Sequence, residues 1–511
     1  MDRRVVAAAA GGGVLVIAAV AVGAWWAADV WRGGDVSEVA ERIPADASTV
    51  MAVRGFVQLV PVLSALRAHP DDPLARVRQG GELALGLDPT DPGVWAASGF
   101  DPARPMGVAS WGRAASGEAR FAAWLPVRDP AAALAQVEAV LAHTGGTASR
   151  TEVAGREAWR AGRAAWTLDE DWLVIAQAGR GESPPSALEA VLAPSASIAS
   201  DPSWQAVRAL LPDPWHALVF VAPDMLASTA GRDARVAALD DFGARGAGAS
   251  LVIGLERSTV RLAVANGPSA EWVRLYQSGG DGLADSVPGR PLLVGRAGVD
   301  VQRSLARMRA TDAKGWAREV AAWQERLGID AEALLGTLDG QVSVAILEGD
   351  GSPDALAYAP VRDVGEATTA VAQIAASMGV GGTLEHETTP DGQEWWFARA
   401  GGVGLARGHL VFAGAPGHRE RIRDALAVPG TGYADALPDD IAAALRDGPP
   451  LVFWWDVQGT MAFLEASPAF SQWLSPRQRS QLSGFAALGG TMEIVGQDAV
   501  LTVHAWPAWS K

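Results

Sequence analysis

Short apolar runs and stretches with helical spacing recur along this chain in one order, and the order is run through twice. In the first pass Thr49-Val50-Met51-Ala52-Val53 predicts a strand behind a proline turn. Val57 to Arg67 and Leu74 to Leu85 carry apolar residues at helical spacing. Pro105 to Trp111 and Phe121 to Val127 predict two antiparallel strands joined through Ala115-Ser116-Gly117. Asp129 stands at the N-cap position and Pro130 at the first turn of a helix over Ala131 to Ala142. Strands around Ala158 to Arg160 and Trp172 to Ala176, a helix over Ser186 to Leu192, and strands Ala217 to Val221, Ala249 to Leu255 and Thr259 to Val264 complete this half.

The second pass keeps the sequence of events. Pro291 to Arg296 predicts its first strand, and Val299 to Met308 and Gly315 to Leu327 its helices. Gln341 to Leu347 and Ala355 to Val361 form the next hairpin, and Asp363 caps a helix over Val364 to Met378. Strands Glu394 to Ala398 and Leu410 to Ala413, a helix Gly417 to Leu426, and strands Leu451 to Val457, Gly490 to Val495 and Ala499 to Ala505 follow.

Short identities run beneath this shared order. Ile43-Pro44-Ala45-Asp46 returns as Val287-Pro288-Gly289-Arg290, and Leu85-Gly86-Leu87-Asp88 as Leu327-Gly328-Ile329-Asp330. Pro126-Val127-Arg128-Asp129 returns unchanged as Pro360-Val361-Arg362-Asp363, and Leu218-Val219-Phe220 as Val452-Phe453-Trp454. The offset drifts from 244 to 234 residues, as loop insertions make it do. The expected fold class is therefore α+β: two similar domains of largely antiparallel sheet with packed helices, related by internal duplication. Residues 43–267 form the first repeat and 287–511 the second, with 268–286, containing Ser278-Gly279-Gly280-Asp281-Gly282, as a hinge or exposed loop.

Ahead of the repeats, Val5 to Ala28 contains no charge. A helix of that length reaches roughly 36 Å, enough to cross a hydrocarbon core of about 30 Å. Trp25, Trp26 and Trp31 sit at its far end, where indoles favour the membrane interface. Arg3 and Arg4 hold the short N-terminus in the cytoplasm by the positive-inside rule. Residues 1–31 thus predict a cytoplasmic stub and a single-pass anchor, with 32–42 as a polar connector and the bulk of the chain outside the inner membrane. The small residues Val22-Gly23-Ala24 leave a cleaved signal peptide as the alternative.

Composition removes several function classes. The chain has no cysteine, which excludes disulfides, thiolate metal sites, catalytic thiols and a lipidated N-terminal cysteine. Its net charge of −16, spread along 511 residues, repels phosphate backbones and argues against nucleic acid as a partner. Lysine occurs only at Lys314 and Lys511, a bias that reads as GC-rich bacterial codon usage.

Candidate chemistry is sparse. The seven histidines, His69, His143, His216, His386, His409, His418 and His504, show no metal-ligand spacing. Gly401-Gly402-Val403-Gly404 lies between two predicted strands and reads as a hairpin turn, whereas a dinucleotide loop joins a strand to a helix. Asp350-Gly351-Ser352-Pro353-Asp354 and Leu168-Asp169-Glu170-Asp171 are acidic enough for calcium but lack EF-hand spacing. Arg128, Asp129, Arg362 and Asp363 form a duplicated element, an anion grip on one reading and a strand end with a capping aspartate on the other. Among 21 tryptophans, Trp395-Trp396 and Trp454-Trp455 are adjacent on predicted strands, so one of each pair faces away from the core. Those four residues are the expected binding surface, in a cleft between the repeats, unless a helix or the sister domain covers that face.

A single N-terminal anchor, Pro44-Ala45-Asp46-Ala47 leading into a strand, and Gly86-Leu87-Asp88 resemble an uncharacterised family of bacterial membrane-anchored extracytoplasmic proteins. The resemblance implies a compartment and a fold class and supplies no catalytic residue. No cofactor is expected. The leading expectation is a non-enzymatic, membrane-tethered envelope protein that binds a protein partner; an extracytoplasmic carrier or sensor of an apolar ligand such as a lipid is the alternative, and an undescribed hydrolase a distant third.

Overall fold

The computed structural model describes residues 36–508 except 56–59, 61–63, 65–66, 68–74, 86–87, 89, 114–118, 180, 212, 226–243, 255, 267–270, 281, 312, 328–329, 350–352, 379–384, 390–391, 399–400, 415–421, 424–425, 427–431, 467–474, 476–478 and 480–481. The anchor segment, with Arg3, Arg4, Trp25, Trp26 and Trp31, lies outside the described residues, as do most of the expected helices 57–67 and 417–426. Among the described residues no helix is long and apolar enough to cross a membrane. The chain divides into two compact units, Met1–Ser269 and Ala270–Lys511.

Among the described residues every strand pairing of the first unit is antiparallel, and five of these pairings are hairpins with short connections. Among the described residues its strands lie in the order β4 (Ser149–Val153), β5 (Arg156–Ala161), β6 (Ala164–Asp169), β7 (Trp172–Gln177), β3 (Ala119–Pro126), β2 (Met106–Arg113), β1 (Thr49–Val53), β8 (Ala217–Val221), β9 (Ala244–Val252), β10 (Ser258–Asn266). The second unit orders β14 (Glu385–Thr388), β15 (Glu394–Ala398), β16 (Gly401–Ala406), β17 (His409–Gly414), β13 (Asp354–Pro360), β12 (Gln341–Leu347), β11 (Pro291–Gly298), β18 (Leu451–Asp456), β19 (Phe485–Val495), β20 (Asp498–Pro507), again all antiparallel. The two orders correspond strand for strand. The protein is thus a mixed α+β chain of antiparallel sheet with helices.

The helices that can be bounded among the described residues are, in the first unit, α1 (Ser37–Ala40), α2 (Ala75–Leu85), α3 (Pro92–Ala97), α4 (Pro130–His143), α5 (Pro184–Leu192) and α6 (Pro202–Leu210), and in the second α7 (Val301–Thr311), α8 (Ala313–Leu327), α9 (Ala331–Thr337), α10 (Val364–Met378), α11 (Asp439–Asp447) and α12 (Val457–Ala466). Asp129, Ser183 and Asp201 each precede a proline and cap α4, α5 and α6 through backbone N–H groups. In the second unit one sheet face packs Val294, Ala345, Leu356, Trp395 and Val452 against Leu283, Val287, Tyr433, Ile441 and Leu445. On the opposite face Trp396, Val403 and Leu410 pack against Val301, Leu305, Leu334, Val371 and Ile374, from α7, α9 and α10.

Three sequence expectations change here. Gly401-Gly402-Val403-Gly404 is no turn; it lies within the buried strand β16. A Cβ on Gly404 would come within 2.5 Å of the Trp395 ring, and one on Gly402 within 2.8 Å of Phe397. The glycines therefore make room for the aromatic residues that face them across the β15–β16 ladder. The stretch read as a hinge is instead built into the second unit: Leu283 and Ala284 are fully buried, Tyr276 bridges Val299, and the Gln277 N–H donates to the Gly298 carbonyl at 3.1 Å. The polar connector 32–42 ends in buried Val36, Val39 and Ala40, because α1 packs onto the first unit's sheet.

Candidate functional site

The duplicated Pro-Val-Arg-Asp element is fixed by one hydrogen-bond scheme in both units. The Val127 N–H donates to the Asp171 carbonyl (2.8 Å) and the Arg128 N–H to that of Gly99 (2.9 Å). The Val361 N–H donates to the Gly408 carbonyl (2.9 Å) and the Arg362 N–H to that of Thr337 (2.8 Å). Val127 bridges Phe100 as Val361 bridges Leu338. Asp129 accepts from the Ala131 and Ala132 N–H groups at 3.1 Å, and Asp363 from the Glu366 N–H at 2.9 Å. Both carboxylates are thus used on helix starts. Arg128 and Arg362 are exposed, and Arg362 faces Asp339 at 3.5 Å.

The acidic turn Asp169-Glu170-Asp171 is paired with arginines. Arg42 donates to Asp169 (3.2 Å) and Glu170 (2.7 Å), Arg104 pairs with Asp171 and Glu38, and Arg156 with Asp169. Burial works against the Arg104 charge, but its hydrogen bonds to Glu38 and Asp171 outweigh it and raise its pKa. Arg42 and Arg104 also stack over the Trp172 indole at 5.2 and 4.9 Å. A second clamp sets Arg54 and Arg208 over Trp215 at 4.6 and 5.3 Å, both paired with Asp213. Sequence reasoning missed these clusters because their members are distant along the chain. Asp350, Gly351 and Ser352 of the other acidic loop lie outside the described residues. Among the described residues no three His, Asp or Glu side chains converge to hold a metal ion.

His216 is buried next to the second clamp, and its Nδ1 accepts from the Ile253 N–H at 3.0 Å. Burial, followed by the nearby Arg54 charge, lowers its pKa to about 4. It is a neutral structural acceptor at neutral pH. His386 stacks on Trp396 at 4.7 Å, and His69 and His418 lie outside the described residues.

The four tryptophans part company. Trp395 is fully buried in one core and Trp396 is 8% exposed in the other, so neither contributes to a surface. Trp454 turns into the first of these cores and meets Trp506 edge-on at 5.0 Å. Trp455 points to the opposite face and is half-buried, with its Nε1 donating to the Thr460 hydroxyl of α12 at 3.1 Å.

The registers place a continuous set of side chains beside Trp455. Val342, Val344 and Ile346 of β12 lie opposite Ala297, Gly295 and Leu293 of β11, and these lie opposite Leu451, Phe453 and Trp455 of β18. The row continues through Met492, Gly490 and Leu488 of β19 to Leu501, Val503 and Ala505 of β20. None of these positions carries a charge or a hydrogen-bonding side chain except the indole of Trp455. Helices α7, α9 and α10 pack on this face over β13 and β15–β17, and α12 packs on it over β11, β18 and β19; among the described residues Val342 and Val344 of β12 remain 41% and 43% exposed. Met461, Phe463 and Leu464 of α12 are also only half-buried. The first unit repeats the pattern: Met51, Val108, Val219, Ala249 and Leu262 share one face, and Leu262 is 43% exposed. An apolar recess lined by Trp95, Phe100, Met106 and Leu125 has room for about one water molecule, too little for an acyl chain.

The chain matches no protein-family model and no curated protein sequence. Solved structures of TP0453 are similar to part of it. Crystal form III superposes with a TM-score of 0.28 at 8% identity over 48% of this chain and 89% of that one. Crystal form I gives 0.26 at 8% identity over 45% and 79%. Likeness at that level carries no argument about fold or function.

Proposed function

We propose that this chain is a non-enzymatic, membrane-tethered envelope protein, built by duplication of one α+β unit, that holds an apolar chain such as a lipid acyl group on a half-exposed sheet face beside α12. One observation carries the reading: the face around Val342, Val344, Phe453, Trp455 and Met492. A sheet face left half-exposed in a soluble domain ordinarily alternates with polar side chains. This one carries almost none across five strands, so it offers dispersion contact and release of water but little to orient a polar ligand. The uncharged segment Val5 to Ala28 would keep it beside a bilayer, where acyl chains are the abundant apolar species. The protein-partner reading loses support because Trp395 and Trp396, half of the surface it needs, are consumed in the cores.

The experiment is native mass spectrometry of the full chain released from membranes in mild detergent. Extra mass of lipid size that disappears on denaturation supports the reading. A bare chain, or a complex whose added mass is a second polypeptide, overturns it.

A further inference from the structure

The chain enters the first unit through a docked element rather than a loose connector. Val39 and Ile43 are fully buried, and a Cβ on Gly107 of β2 would approach a Val39 methyl to 2.7 Å. The close approach of α1 to the sheet therefore depends on a glycine beneath it. Backbone bonds continue the attachment: the Ile198 N–H donates to the Ile43 carbonyl at 2.8 Å and the Ala45 N–H to the Ala196 carbonyl at 2.9 Å.

Side chains then lock it. Glu38 and Arg42 come from this entry segment, Arg104 from the start of the β2 region, and Asp169, Glu170 and Asp171 from the β6–β7 turn. Arg42 bonds to Asp169 and Glu170, while Arg104 joins Glu38 to Asp171. The two guanidiniums share the buried Trp172 indole. An exposed ion pair contributes little alone, but a network with a common aromatic platform holds several side chains in one geometry.

We infer that residues 36–43 are a rigid strut that fixes the first unit close to the bilayer, with the Asp169–Asp171 turn on the membrane-proximal side. The inference rests on the tether reading of the N-terminal segment. From Trp31 to Val36 the chain spans at most about 17 Å at ~3.5 Å per residue. The turn contacts the strut directly and so stays within a short distance of the headgroups. Its carboxylates, neutralised by Arg42, Arg104 and Arg156, would approach an anionic surface with little repulsion.

The absence of cysteine permits a single spin label at the exposed position Glu41, as Glu41→Cys, in the full chain reconstituted in vesicles. The strut predicts a label with motion restricted to several nanoseconds, shortening to about one nanosecond when Arg42→Ala and Arg104→Ala are combined. It also predicts line broadening by nickel chelated to lipid headgroups. A freely mobile label in the otherwise native chain overturns the strut. A restricted label that headgroup nickel does not broaden leaves the docking intact and overturns the membrane-proximal placement together with the tether.

Discussion

Acidification should weaken the first unit through one buried imidazole. His216 is 8% exposed, its Nδ1 is committed to the Ile253 N–H, and burial together with Arg54 lowers its pKa to about 4. An unfolded histidine titrates near ~6.5. The folded form therefore binds fewer protons than the unfolded form between these values, and stability rises with pH across that window. The contribution is complete above about pH 6.5 and is lost as pH falls towards 4. A gap of about 2.5 pH units at ~1.36 kcal/mol each amounts to roughly 3 kcal/mol. The assay compares denaturant unfolding of the native chain with His216→Asn, whose amide oxygen can replace Nδ1 as acceptor. Taking the difference between the two removes the shared titration of carboxylates. The stability difference should move by about 3 kcal/mol between pH 7 and pH 4, and Ile253 should lose amide-exchange protection over the same range. Parallel pH curves for the two proteins, or a His216 titration near 6.5 by NMR, would refute the reasoning.

Further predictions address the packing and the capping. Gly404→Val drives methyl groups into the Trp395 ring and should cost about 1–3 kcal/mol in denaturant unfolding. Asp129→Ala and Asp363→Ala should each cost ~1 kcal/mol in thermal unfolding and leave lipid binding unchanged, since both carboxylates serve helix starts. Arg296→Met removes the buried guanidinium that donates to the Ala444, Leu445 and Pro449 carbonyls at the end of α11. It should cost about 1–3 kcal/mol, with exchange protection lost first in α11.

Much of the fold was legible in the sequence where local chemistry and tertiary environment agree. The β12 and β15 spans and α10 fall on the residues that periodicity indicates, because apolar spacing is what buries them. Polar β4 and β14 escape notice: Ser149–Val153 and Glu385–Thr388 lie at the outer end of each strand order and bury almost nothing, so no alternation marks them. β16 escapes for the opposite reason, as its glycines yield volume to the neighbouring strand's aromatics. Asp201-Pro202 carries the same capping signal as Asp129-Pro130, and Trp204 and Val207 behind it are buried about one helical turn apart, so α6 was equally legible. At the candidate site, alternation correctly set Trp454 and Trp455 on opposite faces. It does not reveal which faces the helices cover, since cover comes from segments distant along the chain, such as those carrying Leu283 and Leu305.

The central claim, that the half-exposed apolar face of the second unit holds an acyl chain, is tested most directly by diazirine-bearing fatty acids of increasing length, cross-linked to the full chain and mapped by peptide mass spectrometry. The account predicts adducts on β12, β18 and β19 around Val344, Trp455 and Met492. Affinity should tighten roughly two- to four-fold per added methylene, because a chain lying on one face loses part of its water at ~0.8 kcal/mol per fully buried CH₂. Val344→Glu should abolish those adducts without unfolding the chain, since that side chain already faces solvent. Adducts scattered over the surface, affinity independent of chain length, or labelling unchanged by Val344→Glu would contradict the account.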